Sequence, residues 1–216
     1  MNSSPLQIRT EQPSDRQRVE EITRRAFWNL YIPGCTEHYL VHIMRAHPDF
    51  IPELDLVAEL DGQVVGNIMY TRNRLTDEHG AEKAILTFGP VSITPELQRR
   101  GYGRQLMEES FRRAAALGYD TVVIFGDPAN YVSRGFKSCK KHNVCLPDGS
   151  FPAGMLVKEL VPGTLAGKKW VYRQSSVFEF DEQEALRFDA SLPEQPEKRV
   201  LPCQETFYIL SSAVLP

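Results

Sequence analysis

The 216-residue sequence lacks the features that mark several classes of protein. No apolar run reaches membrane-spanning length and residues 1–9 hold no apolar signal-peptide segment, so we expect a cytoplasmic protein with no membrane partner. The four cysteines have no C-x-x-C spacing, which favours reduced thiols over disulfides and predicts no metal site; they are Cys35, Cys139, Cys145 and Cys203. A net charge of −3 gives no overall attraction to nucleic acid, so we expect no such partner.

The sequence does contain enough apolar material for one substantial core. Hydrophobic residues make up 42% of the chain, and helix-like and strand-like stretches alternate, which predicts an α/β domain with a smaller appendage. The amino-terminal patterns predict a strand at 6–9, a helix after a capping box at 14–17, a second helix from 36 to about 47, and a hairpin of strands 54–60 and 63–70 joined by Asp61 and Gly62.

Residues 86–107 are the stretch around which the chain is organised. An apolar strand is interrupted by Gly89 and Pro90, and a glycine-bearing turn and an amphipathic helix follow it. Proline cannot donate to a strand ladder and glycine marks a bulge or a close backbone approach. We therefore expect this strand to splay away from its neighbour.

The turn that follows the broken strand has the chemistry of a phosphate site. It places the backbone amides of Arg100, Gly101, Tyr102 and Gly103 at the start of a helix, where N–H groups lack intrahelical partners and the dipole is positive. Arginines at positions 99, 100 and 104 add cationic side chains whose fork geometry suits phosphate oxygens. The turn is therefore interpreted as a pyrophosphate site.

Two other phosphate-binding motifs do not match. The segment 101–106 lacks the third glycine of the dinucleotide fingerprint. The segment 163–169 has the wrong spacing for a nucleotide phosphate loop and no Ser or Thr to close on Mg²⁺. A Rossmann or nucleoside-triphosphate site is thus disfavoured.

The helix after the turn leads into a second strand. Its apolar stripe ends at Gly118, a natural C-cap, and residues 121–125 form an apolar strand, so the unit is βαβ with parallel strands. Ligands bind at the carboxyl ends of such strands, which is where the phosphate turn lies. A short helix ending at Gly135 and a strand at 155–160 are predicted next.

Two motifs in this order resemble the GNAT superfamily of acyl-CoA N-acyltransferases. Gln98-x-x-Gly101-x-Gly103 is similar to its acyl-CoA signature, and Tyr131-x-x-x-Gly135-Phe136 is similar to the end of its acyl-CoA domain. The resemblance covers about residues 6 to 172 and implies a mixed α/β fold with splayed central parallel strands. It divides the chain into an N-acetyltransferase domain, 1–172, and a C-terminal extension, 173–216, that packs on the same domain.

The resemblance also implies a donor and a site. The acyl donor is acetyl-CoA, with Val91 and Ile93 facing pantetheine and the turn holding the pyrophosphate. No metal takes part, and the acceptor is a small-molecule or peptide amine. The residues expected at the coenzyme are Val91, Ser92, Ile93, Gln98, Arg99, Arg100, Gly101, Tyr102, Gly103, Arg104 and Asn130.

The family's usual mechanism is direct attack of the amine on the thioester. Tyr131 lies where the family places the acid that protonates the thiolate, and its phenol, with a pKa near 10, is protonated at neutral pH. The backbone N–H of Val91 is the expected oxyanion donor. The base stays open among side chains of the amino-terminal half and one after the central strand: Glu37, His38, Glu53, Asp55, Glu59 and Asp127.

Alternatives remain open at this point. A Cys/His acyl carrier from Cys139, His142 and Cys145 is conceivable, although packing cysteines are far commoner. The same fold without turnover would be an acyl-CoA sensor or a partner-binding module. In the tail, the pattern predicts a helix at 178–188 and a strand at 204–210. The tail could form a lid over the acceptor groove, a homodimer contact or a cover over a sheet edge. Packing on its own chain is favoured.

Overall fold

A computed structural model describes residues 5–216 and has the expected mixed α/β fold. The expectation for residues 1–9 therefore falls partly outside the described residues, and within them no helix is long and apolar enough to cross a membrane. The strands are β1 Gln7–Thr10, β2 Leu56–Leu60, β3 Gln63–Asp77, β4 Glu82–Ile93, β5 Thr121–Phe125, β6 Lys137–Ser138, β7 Val144–Cys145, β8 Met155–Glu159 and β9 Trp170–Arg173. The helices are α1 Arg16–Phe27, α2 Glu37–Met44, α3 Tyr102–Ala116, α4 Pro128–Tyr131, α5 Glu182–Ala190 and α6 Pro202–Ser212, with short 3₁₀ turns between elements.

Within residues 5–216 the nine strands form one mixed sheet in the order β1-β2-β3-β4-β5-β8-β6, with β9 beside the far end of β3 and β7 paired to β9. The predicted hairpin of β2 and β3 is confirmed, and both turn residues, Asp61 and Gly62, have the positive φ that a two-residue hairpin turn needs. β3 continues to Asp77 rather than ending near Tyr70, because its second half pairs with both β4 and β9.

The predicted separation of the central strands is confirmed. β4 and β5 run parallel, and in the described chain their ladder has a single register pair, Leu86 with Val122. On its other side β4 pairs with β3, and the register shifts where Gly89–Pro90 bulges out of the ladder. The carboxyl-terminal halves of β4 and β5 therefore open a gap in the middle of the sheet.

Helices cover both faces of this sheet. Apolar side chains of α3, such as Leu106 and Phe111, pack against Tyr70 and Phe88 on one face. On the other face α1 and α2 bury Val19, Ile22, Leu40 and Met44 against the first strands. Because burying apolar surface is the main favourable term in folding, these two layers fix the strand ends that frame the gap.

Two local predictions are wrong. Residues 204–210 form part of α6 rather than a strand, because Pro202 occupies the first helical turn and the Gln204 side chain accepts the N–H of Leu201 at 3.2 Å. The capping box before α1 is centred on Gln12, whose backbone N–H donates to Asp15 at 2.8 Å, and Ser14 does not cap. Both errors have the same reason: apolar periodicity carries no information about the side-chain hydrogen bonds that end or begin these helices.

The C-terminal extension, residues 173–216, contacts the amino-terminal helices. Its predicted helix begins at Glu182 rather than 178, because Asp181 caps it by accepting the N–H of Gln183 at 2.8 Å. Asp189 at its end is buried against Arg24 of α1, and farther along Phe207 of α6 stacks on Tyr31. The extension thereby encloses the segment that connects α1 with α2.

Candidate active site

The turn between β4 and α3 is shaped by a few backbone features. A 3₁₀ turn covers Pro95–Leu97, and the Gln98 side chain then donates from Nε2 to the carbonyl of Ile93 at 3.0 Å. Arg99 and Gly101 both have positive φ, +63° and +88°, and only glycine adopts that conformation without cost. The chain thus enters α3 with its first N–H groups outside the helical ladder.

A cleft of about 430 Å³ lies near the 163–169 loop, but the turn opens onto a larger one of about 720 Å³. One part of the larger cleft's wall comes from the end of β4 and the start of α3, and another from α4 and the residues after it. The end of α1 and the following loop supply Phe27, Leu30 and Tyr31. The cleft therefore occupies the place where β4 and β5 separate.

Ten of the twelve predicted site residues line this cleft: Val91, Ser92, Ile93, Gln98, Arg99, Gly101, Gly103, Arg104, Asn130 and Tyr131. Arg100 is exposed outside the lining, and Tyr102 turns inward to pack on the core beside α3. The structure thus brings most of the predicted set together and leaves these two side chains apart.

Two of the lining side chains are engaged within the protein. The hydroxyl of Ser92 donates to the Asn67 side chain, which also accepts the hydroxyl of Thr23 at 3.2 Å. Gln98 holds its own turn, as described above. These two residues can therefore offer a ligand mainly backbone groups, whereas Arg99 is exposed and Arg104 carries one exposed ion pair with Glu108 at 2.7 Å.

Tyr131 is fixed by aromatic packing and by a glycine. Its ring lies 5.9 Å from that of Phe88 and 5.8 Å from that of Phe136, and a Cβ on Gly126 would come within 2.6 Å of the ring. Its hydroxyl has no hydrogen-bond partner among the described residues. Burial, followed by the proximity of Tyr31 and Asp127, raises the pKa of the Tyr131 phenol well above its usual range. The phenol is therefore protonated, and its O–H is free to donate a hydrogen bond to a ligand.

The sequence analysis missed several lining residues. Arg134 lies on the wall, and its Nε atom is buried with no partner in the part of the chain that the structure describes. Phe27, Leu30 and Tyr31 also line the cleft. Arg134 immediately precedes the glycine of the second motif, so a search for cations beside that motif would have found it, whereas the three residues at the end of α1 and in the following loop carry no local signal.

The structure separates the candidate bases. His38 is fully buried beside Asp189 at 3.3 Å, and Glu59 is paired with Arg9 at 2.8 Å. Asp55 is buried next to Glu11, and Glu53 is exposed in the same segment. Glu37, which begins α2, and Asp127, which caps α4 by accepting the N–H of Ala129 at 2.8 Å, are not among the residues that line the cleft. The pKa of the Tyr31 phenol is raised by burial and by the negative charges of these two carboxylates.

The cysteines are arranged for packing. Cys139 and Cys145 are buried and point their thiols at the carbonyls of Pro152 and Trp170, while His142 lies 3.9 Å from Glu159. Cys35 does lie 3.2 Å from His38, but burial raises the pKa of its thiol far above neutral. A thiolate is the reactive form, so neither arrangement suits an acyl carrier.

The comparisons with known proteins identify the family. The acetyltransferase (GNAT) family model matches residues 24–138, which is more than half of the chain. The matched region runs from α1 through the turn between β4 and α3 and Tyr131 to β6. The protein therefore belongs to the GNAT family of acetyltransferases, whose members are acyl-CoA-dependent transferases.

Particular relatives agree with this assignment. The chain is 31% identical over 138 residues to a protein named uncharacterized N-acetyltransferase YhbS from Escherichia coli, covering 63% of this chain and 77% of that protein. A crystal structure of E. coli YhbS in complex with CoA matches with a TM-score of 0.70 at 24% identity over 83% of this chain and 97% of that one. A Brucella melitensis GNAT acetyltransferase in complex with acetyl-CoA matches with a TM-score of 0.63 at 26% identity, over 81% and 98%.

Proposed function

We propose that this protein is an N-acetyltransferase that moves an acetyl group from acetyl-CoA to a primary amine by direct attack. The observation that carries the proposal is the cleft between the separated ends of β4 and β5, which combines an open helix start with arginines and an unpartnered phenol. The CoA and acetyl-CoA held by the structural relatives support the choice of donor.

In this proposal the turn holds the coenzyme. The backbone N–H groups at the start of α3 and the guanidinium of Arg99 bind the pyrophosphate, with Arg104 and Arg134 as further cations on the wall. The bulged strand presents the main chain of Val91 and Ile93 to the pantetheine amides, and Asn130 lies across the cleft. Arg100 and Tyr102 are expected to contribute backbone groups alone, since their side chains point elsewhere.

The chemistry requires a neutral amine and a proton for the thiolate. An amine with a pKa of about 10.4 is neutral only about 1 part in 2,500 at pH 7, which corresponds to roughly 4.6 kcal/mol of barrier. The amine nitrogen forms a C–N bond with the acetyl carbonyl as the C–S bond breaks. One ammonium proton leaves to water before attack. Tyr131 then protonates the departing thiolate, and the second proton that the nitrogen loses as the amide forms restores the phenol, so the products are the amide, the free thiol and one proton. The N–H of Val91 is the proposed oxyanion donor.

Calorimetry with acetyl-CoA tests the phosphate site. We expect Arg99→Ala and Arg104→Ala each to raise the dissociation constant by about tenfold, because each removes a charge-assisted hydrogen bond. Arg100→Ala should have a smaller effect, and Arg112→Ala, an exposed arginine on α3 outside the cleft, is the matched control. Unchanged affinity in the first two variants would remove the phosphate assignment.

A thiol-release assay over a panel of amines tests the transfer. Turnover on at least one acceptor is expected. Tight coenzyme binding without turnover on any acceptor would instead identify an acyl-CoA sensor with the same fold.

A further inference from the structure

The end of β4 lines the cleft without support from β5. In the described chain the two strands share a single register pair, which lies before the bulge, so the residues after the bulge have a neighbouring strand on one side alone. On that side the antiparallel ladder with β3 continues, and it sets Asn67 opposite Ser92 and Gly66 opposite Ile93. The position of this open strand end therefore depends on its contacts with β3.

A buried polar cluster of Thr23, Asn67 and Ser92 ties the strand end to its surroundings. The Oδ1 atom of Asn67 accepts the Ser92 hydroxyl and also accepts the Thr23 hydroxyl at 3.2 Å, and the two hydroxyl oxygens lie 3.4 Å apart. Thr23 and Asn67 are fully buried, and Ser92 is 3% exposed. Side chains of α1, β3 and β4 therefore meet at one amide oxygen.

The two strands also approach each other closely beside the polar cluster. A Cβ on Gly66 would come within 2.4 Å of the Ile93 side chain and within 2.6 Å of the Ser92 carbonyl oxygen, which is closer than such atoms pack. Glycine at position 66 thus lets the end of β4 lie directly against β3. The strand end is held by this backbone contact as well as by the side-chain bonds.

The polar cluster contains an unpaired group, which packing alone would not require. The Nδ2 atom of Asn67 is buried and has no hydrogen-bond partner in the part of the chain that the structure describes. A buried donor left unpaired is destabilising, and an apolar side chain of similar size would avoid that cost. The amide instead supplies directional bonds, whereas apolar contacts have no preferred direction.

We propose that Asn67 and Thr23 are positioning residues, which act through Ser92 to fix the end of β4 where its main chain meets the pantetheine arm and the thioester. This inference rests on the proposed function. Neither Thr23 nor Asn67 lines the cleft, whereas Ser92 does, and so do Val91 and Ile93 on either side of it. Because a small displacement of a positioned group can lower a rate by about 100-fold, a fixed main chain matters for the oxyanion donor as well as for binding.

Two ligands separate the pantetheine contacts from the phosphate contacts: acetyl-CoA, and 3′-phosphoadenosine 5′-diphosphate, which keeps the pyrophosphate and lacks the pantetheine arm. Asn67→Leu removes the shared acceptor at nearly unchanged side-chain size. We expect calorimetry to show a dissociation constant raised by about tenfold for acetyl-CoA and unchanged for the nucleotide. In a thiol-release assay kcat should fall by about 10- to 100-fold, because the N–H of Val91 is displaced from the thioester carbonyl. Equal weakening of both ligands, or of neither, would overturn the proposal.

Replacements of Thr23 distinguish positioning from packing. Thr23→Val keeps the shape of the side chain and removes the hydroxyl, whereas Thr23→Ser keeps the hydroxyl and removes a methyl group. We expect Thr23→Val to show the same selective loss of acetyl-CoA affinity and Thr23→Ser to retain the wild-type affinity. This pair also decides the question if Asn67→Leu does not fold. Loss of affinity in Thr23→Ser with none in Thr23→Val would assign the effect to packing and overturn the proposal.

Asn73→Leu is the matched control. Asn73 is a second buried asparagine of β3, 3% exposed, and its Oδ1 atom accepts the hydroxyl of Tyr172 at 3.4 Å and the N–H of Ser175, outside the cleft lining. We expect Asn73→Leu to lower the melting temperature and to leave both dissociation constants unchanged. The same selective loss in Asn73→Leu would show that general destabilisation causes it, and would overturn the proposal.

The affinity of the wild-type protein separates this inference from the proposed function. Absence of acetyl-CoA binding by the wild type would remove the proposed function, and this inference with it. Acetyl-CoA binding and turnover by the wild type, with no selective loss of affinity in Asn67→Leu or Thr23→Val, would leave the function standing and overturn the inference alone.

Discussion

Neighbouring residues set the position, the orientation and the protonation state of the Tyr131 side chain. The glycine at position 126 leaves room for the ring, the rings of Phe88 and Phe136 orient it, and burial keeps its phenol protonated. A phenol with no internal partner is free to donate to a ligand atom. These features support the proposed role of Tyr131 as the acid that protonates the thiolate.

Replacing Tyr131 with Phe removes the hydroxyl and keeps the ring. We expect kcat to fall by about 10²- to 10⁴-fold while the dissociation constant of acetyl-CoA changes little, because a positioned acid acts in the transition state. Tyr102→Phe, on the core side of α3, is the control. Steady-state kinetics and calorimetry measure the two quantities, and an unchanged kcat with chemistry rate-limiting would contradict the role.

Asp55 illustrates a buried acid outside the cleft. It is 6% exposed, its Oδ1 atom has no partner in the described structure, and Glu11 lies beside it. Burial, then the hydrogen bond and negative charge of Glu11, raises the pKa of Asp55 despite the opposing charge of Arg45. The native state therefore holds a proton that the unfolded chain, with a pKa of about 4, releases at neutral pH.

This difference predicts a pH-dependent stability. Because the folded pKa is the higher one, the contribution of Asp55 is complete below about pH 4 and is lost as the pH rises toward the folded value. Asp55→Asn keeps a neutral donor toward Glu11 and should be more stable than the wild type at pH 7 and pH 8, with a difference that vanishes near pH 4. Urea unfolding at these pH values checks this. Glu53→Gln, an exposed neighbour, is the control, and a variant destabilised at pH 8 would show that Asp55 is ionised in the native state.

At the scale of elements, the bulge in β4 and the start of α3 act together. The bulge takes the end of β4 out of register with β3, and the single register pair with β5 leaves the two strands apart beyond it. The turn then delivers the first amides of α3 to the mouth of this gap. The cleft is thus a consequence of strand geometry, and its arginines add to a site that the backbone has already formed.

The C-terminal extension contributes a second arrangement of elements. Asp189 at the end of α5 is 2% exposed and contacts Arg24 at 2.8 Å and Lys198 at 3.2 Å. The side chain of Asn29 bonds both the carbonyl of Glu197 and the N–H of Arg199, each at 3.0 Å. These contacts tie the extension to the segment between α1 and α2, which carries Tyr31.

Removing this contact should loosen the segment. We expect Asp189→Ala to lower the free energy of unfolding by about 3–5 kcal/mol, because it leaves the guanidinium of Arg24 buried without its partner. Hydrogen exchange of residues 28–36 should also accelerate. Glu182→Gln, an exposed acid on the same helix, is the matched control. Unfolding and exchange equal to those of the wild type would contradict a role for the extension in holding this segment.

At the scale of the whole molecule, the net charge of −3 does not describe the cleft, whose charged lining residues are the arginines at positions 99, 104 and 134. We expect a phosphate-bearing ligand to be attracted to this cleft although the net charge is negative, because the local arrangement of charge decides which ligand binds.

Binding of the coenzyme should stabilise the native molecule as a whole. At a free concentration of 100 times the dissociation constant, a ligand that binds only the native state adds about 2.7 kcal/mol. For a chain of this size we expect acetyl-CoA to raise the melting temperature by about 5–10 °C. Differential scanning fluorimetry measures the shift, and acetyl-pantetheine, which lacks the phosphates, should give a smaller one at the same concentration. Equal shifts with the two ligands would argue against a phosphate site.

Local backbone preferences explain the central part of this protein. The strand interrupted by Gly89 and Pro90, the turn with Gly101 and Gly103, and the hairpin at Asp61 and Gly62 depend on backbone preferences of glycine and proline, which act locally and can be read from neighbouring residues. The order of elements from β2 to β5 followed from apolar periodicity. Ten of the predicted site residues meet at one cleft because they lie on two such local motifs.

The aromatic part of the cleft wall and the shape of the tail depend on contacts between distant segments. Tyr31 and Phe207 stack on each other although they are far apart in sequence, and no short-range pattern relates them. Residues 204–210 form a helix rather than a strand, because packing of Phe207 on Tyr31 and an end bond at Gln204 outweigh a weak local preference. Local motifs fix the bulged strand and the turn before α3, whereas the wall that contains Tyr31 depends on long-range contacts, and such contacts leave no signature in a single sequence.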